Sequence, residues 1–299
     1  MSKAVIVGGG AAGMAAAVFL AEKGHTVHLF EKNEKLGKKI YITGKGRCNF
    51  TNACPQEELF DNIIHGRKFL YSAFYGYNNF DVIDFFESLG VRTKTERGNR
   101  VFPRSDHASD ITLALEKRMK ALDVTIHLKT EVTEVLASDG QIRGISLKDG
   151  SLIQADAVLV ATGGLSYPST GSTGDGYRFA RSLGHQVTPL CPSLVPFLTQ
   201  EDYIPLMQGL SLKNVSLTLF RKNKKCWDGF GELLFTHRGI SGPLALTASA
   251  QIGEYLLLEQ LTAEELDARC RKYLLVRTDR DRQAADILGR MFPKAHCQA

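Results

Sequence analysis

No CxxC pair and no tight His/Cys cluster occurs among the six cysteines, Cys48, Cys54, Cys191, Cys226, Cys270 and Cys297. That argues against a zinc site or a disulfide framework and places the chain in a reducing compartment, the cytoplasm. Excess charge is also scarce. The net charge of +5 permits an anionic ligand or weak affinity for RNA without arguing for either. The one basic run, Arg221 to Lys225, reads as a solvated hairpin tip. Long apolar runs are missing too, apart from "AVIVGGGAAGMAAAVFLA" at residues 4–21. Three glycines in its middle weaken a helix where a signal peptide or membrane span needs it strongest, so no membrane association is expected. Internal repeats and low-complexity segments are absent.

What is there is an ordinary globular composition, 43% hydrophobic and 23% charged over 299 residues, enough for about two domains. "KAVIVGGG" reads as a strand running into glycines, "AAGMAAAVFLAEKG" as a helix closed by Gly24, and "HTVHLFEK" as a second strand ending at Glu31. This βαβ unit carries Gly8, Gly10 and Gly13 in a GxGxxG pattern. Gly8 serves a tight turn, Gly10 a close approach of backbone to pyrophosphate, and Gly13 close packing of helix on strand. The helix N-terminus favours phosphate, and Glu31 stands where a carboxylate accepts from ribose hydroxyls.

Further along, "FDVIDFFESLG" reads as an amphipathic helix, "VRTKTERGNRVFP" as a hairpin turning at Gly98 and Asn99, and "SDHASDITLALEKRMKAL" as a helix entered through Ser and Asp. A run of strands with Asp-Gly turns at 139–140 and 149–150 ends in "AVLVATGG", which brings Ala161, Thr162, Gly163 and Gly164 to the dinucleotide edge of a sheet. Asp175, at the next helix start, reads as an N-cap. Prolines gather between Pro189 and Pro205, a crossing into a second domain: 1–190 is expected to bind the cofactor, and 191–299 to be strand-rich, then helical from Leu261.

An NAD dehydrogenase would continue with a third strand after Glu31. Here the chain enters "KLGKKIYITGKGRCNFTN" instead. That string is no P-loop, since Lys39 stands five residues before Gly44 and Gly46 follows Lys45. It reads as backbone and polar side chains laid along an extended cofactor, for which FAD fits better than NAD; a glycine-rich surface loop is the other reading. Lys32, Lys38, Lys39, Gly44, Arg47, Cys48, Asn49 and Thr51 are its candidate cofactor contacts, beside Ala161, Thr162 and Gly163.

In "VGGGAAGMAAA", "EKNEKLGKKIYITGKGRCNFTNA", "RVFPRSDHASD", "VLVATGGLSYPSTGSTGDGY", "PSLVPF" and "GELLFTHRGISGP" the chain resembles the BaiN-like flavoproteins, often labelled aminoacetone oxidase family FAD-binding enzymes. The resemblance implies an α/β fold, a Rossmann-like FAD-binding domain with an inserted β-rich plus helical domain. It also implies FAD contacts at Ala12, Glu31, Lys38, Arg47, Asn49 and Thr51, and through the backbone at Val132. Family members return to the FAD domain through a "GLYFAGE"-like segment, and nothing like it follows Pro293. A missing C-terminal return segment is therefore expected, and with it an inactive fragment as one reading of the chain.

The implied activity is FAD-dependent oxidation–reduction, with the cofactor carrying the chemistry. With one GxGxxG, no separate nicotinamide domain exists, so NAD(P)H would dock transiently as electron donor. Members are linked to reduction of conjugated steroid-type enones and of a uridine in ribosomal RNA, which makes a small molecule the first expectation for the substrate and RNA the second. Catalytic candidates are Cys48, Tyr167, and His237 with Arg238 in "FTHRGISG". Each has a plain structural role as its alternative: a packed thiol, a packed ring and a turn.

Overall fold

The computed structural model describes residues 1–190, 193–199, 201, 203–221, 224–258 and 274–277. The chain divides into two compact units, Met1–Val187 and Thr188–Ala299.

In the first unit the chain runs β1 (Lys3–Val7), α1 (Ala11–Glu22), β2 (Thr26–Phe30), β3 (Thr51–Asn52), α2 (Gln56–Asp61), α3 (Arg67–Gly76), α4 (Asn79–Ser88), β4 (Thr93–Glu96) and β5 (Arg100–Pro103). It continues through α5 (Ala108–Ala121), β6 (Thr125–His127), β7 (Val132–Ser138), β8 (Gln141–Leu147), β9 (Leu152–Gln154), β10 (Ala157–Val160) and α6 (Asp175–Ser182). The central sheet is parallel, in the order β10-β1-β2-β6. Alternation along β1 sends Ile6 into one core with Met14, Leu29 and Met119. Val5 and Val7 go to the other face, with Phe30, Ile145 and Phe179. A parallel sheet covered on both faces buries successive β-branched residues, and each such side chain taken fully from water contributes about 1.5–3 kcal/mol.

Local signals set the edges of these elements. Gly24, at φ +82, closes α1. The hairpin β4–β5 turns through Gly98 and Asn99, both left-handed, as do Asp139 and Gly140 between β7 and β8. α4 starts with a capping box: Asn78 Oδ1 accepts from the amides of Phe80 and Asp81, and Asp81 Oδ2 accepts from the Asn78 amide at 2.6 Å. Asn78→Ala is expected to lower stability by about 1 kcal/mol, read as a shift in urea midpoint at unchanged slope. The entry to α5 differs from expectation. His107 stands at the cap without a side-chain bond, while Ser105 Oγ donates to Asp110 Oδ2 at 2.6 Å.

In the second unit come β11 (Phe197–Leu198), β12 (Ser211–Arg221), β13 (Lys224–Phe235), β14 (Gly239–Ser241), α7 (Gly242–Leu258) and β15 (Leu274–Arg277), with an antiparallel sheet ordered β11-β14-β13-β12-β15. Leu217, Leu219, Leu233, Ile240 and Ala245 form its core. The Arg221–Lys225 run does fall at the β12–β13 reversal, where residues 222 and 223 lie outside the described ones. The helix expected from Leu261 lies outside them as well, except at Leu274 and Leu275. These belong to a strand paired with β12, a correction for those two positions. α7 had not been anticipated. Among the described residues, no helix is long and apolar enough to cross a membrane.

Candidate functional site

The glycine loop between β1 and α1 separates two uses of a missing side chain. Gly8 has φ +111, and a Cβ there would lie 2.4 Å from Ala161 O; a Cβ on Gly13 would lie 1.9 Å from Gly8 O. Both glycines are demanded by the fold. At Gly10 a Cβ would meet nothing within 4 Å, so this face of the loop is open space. Gly10 is also the N-cap of α1 and offers no side chain to the first turn, which holds no acidic residue. First-turn amides have no intrahelical acceptor, and here they face the opening with the positive end of the helix dipole.

Glu31 follows β2, its backbone held by the bond from its amide to His127 O and by the Thr130 amide bonding its carbonyl. Its carboxylate is buried. Oε2 accepts from the Gly9 amide at 2.8 Å, and Oε1 from the Asn33 amide at 2.8 Å and Asn33 Nδ2 at 2.6 Å. The side chain expected to face a ribose thus holds the glycine loop in place. Of the roughly four lone-pair directions of a carboxylate, one on Oε2 stays open.

These groups border a cavity of about 340 Å³, built wholly from the first unit. Its lining includes Gly8, Gly10, Ala12, Glu31, Lys32, Lys38, Lys39, Val132, Ala161, Thr162 and Gly163. Sequence reasoning had not named Asn33, Thr43, Thr130, Thr170, Gly171, Ser172 and Phe179, which also border it. The hydroxyl- and glycine-rich "STGSTGDG" was the signal for the 170–172 part.

That segment is tied down by Lys32, Asn33 and Lys39. Lys32 Nζ bonds Thr173 Oγ1 and Asp175 Oδ2, both at 2.7 Å; Lys39 Nζ bonds Ser172 Oγ at 2.7 Å; Asn33 Nδ2 donates to Thr170 O at 3.2 Å. Asp175 is not the N-cap that was expected. Gly174, left-handed at φ 84, takes that place, and Asp175 is the first helical residue of α6. The reason is its carboxylate, engaged by Lys32 rather than by the helix amides. Burial pushes the Asp175 carboxyl up, but the bonds from Lys32 and Thr173, with Arg178 adding, outweigh it and hold it below the ordinary carboxylate value. A depressed folded value stabilises the protein above the unfolded value of about 3.9, and this contribution is lost as pH falls through the lower folded value. Proteolysis of the 165–174 segment should therefore rise in acid in the wild type, and already be fast near neutrality in Lys32→Met. Equal cleavage of the two proteins at neutral pH would show that the clamp does not hold the segment.

The remaining candidates lie elsewhere. Arg47 is drawn into a charge cluster: its Nη1 reaches Glu96 Oε1 at 2.8 Å and Asp106 Oδ1 at 3.2 Å, Lys94 bonds Asp106 Oδ2 at 2.6 Å, and the guanidinium lies over the Phe102 ring. Gly44, at φ +55, backs onto the Asn49 amide. Asn49 Nδ2 donates to Thr51 O and Val101 O, and Thr51 pairs with Val101 in the β3–β5 ladder. Cys48 is buried among the core residues, where desolvation pushes its thiol up, only partly offset by Thr43. A thiol kept protonated is a poor nucleophile. Tyr167 is 66% exposed and left-handed at φ 55, its carbonyl accepting from Thr170. His237 and Arg238 occupy the exposed β13–β14 turn of the second unit, closed by the Thr236 amide on Gly239 O.

Comparison with known proteins places these features in a lineage. The HI0933-like protein Rossmann domain family matches residues 2–255. A ribosomal RNA dihydrouridine synthase of Haemophilus influenzae is 35% identical over 255 residues, 83% of this chain and 61% of its own length. A 3-dehydro-bile acid delta(4,6)-reductase of Clostridium scindens is 33% identical over 262 residues, 86% of this chain and 62% of its own length. The chain thus spans less than two thirds of either relative. Among solved structures, the 3-ketosteroid-delta4-(5alpha)-dehydrogenase of Rhodococcus jostii RHA1 in complex with 4-androstene-3,17-dione superposes with a TM-score of 0.52 at 15% identity. The superposition covers 71% of this chain and 59% of that one, and shows a common fold.

Proposed function

The chain belongs to the HI0933-like Rossmann-domain family of flavoprotein oxidoreductases, and on that premise we propose that it holds FAD in the glycine-loop cavity and reduces a C=C bond conjugated to a carbonyl, with NAD(P)H as electron donor. The observation that carries the reading is the cradle at Gly10: open space beside helix amides without acceptors, in a loop that Gly8, Gly13 and Glu31 hold rigidly. The donor set fits a pyrophosphate.

The names of the two relatives support the type of reaction. One makes dihydrouridine and the other is a Δ(4,6)-reductase of a 3-dehydro-bile acid. The uridine C5=C6 bond and a 4,6-diene beside a 3-ketone are both in conjugation with a carbonyl. Saturating such a bond adds one hydride and one proton; a flavin, when bound and reduced, would supply the hydride. The chain's own residues bind and orient. The α1 amides take the pyrophosphate, Lys38 adds positive charge at the cavity side, and the free lone pair of Glu31 accepts a ribose hydroxyl. The tethers from Lys32, Asn33 and Lys39 keep the 170–175 segment against the site and limit water. Tyr167 is the candidate proton donor to the α-carbon.

A small enone is the first substrate reading. A uridine in ribosomal RNA is the second, favoured by the name of the 35% identical relative. The test is an absorbance spectrum of the desalted protein before and after incubation with FAD, followed by NADPH oxidation with a 3-oxo-4,6-diene steroid and with unmodified ribosomal RNA. Flavin bands near one per chain, and turnover on one of the two, are expected. A colourless protein that FAD does not restore would overturn the reading and leave an inactive fragment in its place.

A further inference from the structure

We propose that α3 is a docking platform for unpaired nucleotides of RNA, its exposed aromatic rings stacking on bases while its cations meet phosphates. Four observations lead there. First, α3 buries none of its ten residues, although its sequence is "RKFLYSAFYG". Phe69 is 86% exposed and Tyr75 74%, among the most exposed large rings of the molecule. Second, two of the rings, Tyr71 and Tyr75, are supported by α2. Phe60 of α2 packs edge-on against Tyr71 at 4.6 Å and lies 6.1 Å from Tyr75, so the outer faces are presented by a fixed base. Third, no Asp or Glu occurs from Asn62 to Phe80, a stretch with His65, Arg67 and Lys68. Arg67 is paired with Asp61 at 3.1 Å, whereas Lys68 has no ion pair among the described residues. Fourth, at about 100° per residue, Lys68 falls between Tyr75 and Phe69 around the helix. The cation is thus interleaved with the rings.

That interleaving decides between occupants. A membrane-seeking helix keeps its apolar arc contiguous and its cations on the opposite face; here the ammonium lies inside the arc. A second copy seated on the same patch would bring two Lys68 side chains together, like charge on like charge. A single-stranded polyanion carrying flat bases matches both the rings and the charge, the combination that binds unpaired nucleic acid through stacking and backbone neutralisation. The proposal rests on the ribosomal-RNA reading of the substrate and adds to it the surface by which that RNA would be gripped.

The test is fluorescence anisotropy of the whole chain with a fluorescein-labelled single-stranded oligouridylate, at several salt concentrations. The wild type should bind with an affinity that falls as salt rises. Phe69→Ala/Tyr75→Ala should bind about tenfold or more weakly, with flavin absorbance unchanged. Tyr75→Phe, which keeps the ring, should stay near wild type, and Lys68→Glu should weaken binding and flatten the salt slope. Equal affinity of wild type and the double variant would overturn the proposal, as would absence of wild-type binding. So would a double variant that changes a dimer to a monomer in light scattering without altering RNA affinity. Failure of the substrate reading looks different: ring-dependent RNA binding by a protein that saturates no uridine.

Discussion

Gly13→Ala is expected to destabilise the first unit by about 3 kcal/mol, the upper end for overpacking, and to abolish flavin binding, while Gly10→Ala costs far less stability. The added methyl at residue 13 would sit 1.9 Å from Gly8 O, a backbone atom that cannot swing aside. Gly8 has little room to retreat, because a Cβ built on it would already lie 2.4 Å from Ala161 O. At Gly10 the same methyl meets nothing within 4 Å, and φ of −82 suits alanine. Its intrinsic effect is small, about 0.5 kcal/mol, since Ala is a poorer N-cap than Gly. The methyl would instead occupy the space claimed for the pyrophosphate, so flavin affinity should fall at least tenfold, about 1.4 kcal/mol. Urea unfolding and flavin titration of the two variants separate scaffold from ligand contact. Unchanged flavin affinity in Gly10→Ala would mean that the phosphates do not lie at the mouth of α1.

Glu31→Ala should cost about 3 kcal/mol, because it strips the Gly9 amide and both Asn33 donors of their acceptor in a buried site. For a unit of this size the expected fall in melting temperature is about 6–12 °C. Glu31→Gln keeps one acceptor oxygen but turns an amide NH₂ toward a donor, so it should lie between wild type and Glu31→Ala. Calorimetry without FAD isolates this effect from ribose binding. If Glu31→Ala melts with the wild type, the carboxylate is not what fixes the glycine loop, and its role is confined to the cofactor.

The βαβ unit was readable because each signal is local: β-branched residues at Val5 to Val7, glycines where backbone crowds backbone, and Gly24 past the helix end. The Gly98–Asn99 and Asp139–Gly140 turns were readable for the same reason, since left-handed backbone selects those residues. α7 was not. "GPLALTASAQIGEYLLL" is apolar nearly all round, and without a polar face it carries no helical period to detect. The site shows the same division. Gly8, Gly10 and Gly13 follow from a local pattern, but the partners of Lys32 and Lys39 stand more than a hundred residues away and leave no mark near either lysine. Arg47 shows the same limit. Its loop is rich in polar groups, yet Glu96 and Asp106 claim the guanidinium through a tertiary contact that chain order does not reveal.

The tethers also set a timetable for the growing chain. β1, α1 and β2 leave the ribosome first, but the wall against Gly8 is Ala161, and β10 must align with β1 before that wall exists. The Lys32–Asp175 bond joins residues 143 apart in sequence, and the Lys39–Ser172 bond residues 133 apart. Contacts so distant form late, after the cost of closing the intervening loop has been met. A nascent chain shorter than about residue 175 therefore presents the glycine motif without its enclosure. Cofactor capture is expected only after α6 has been synthesised, and ribosome-stalled chains of increasing length should acquire flavin retention abruptly once α6 has emerged.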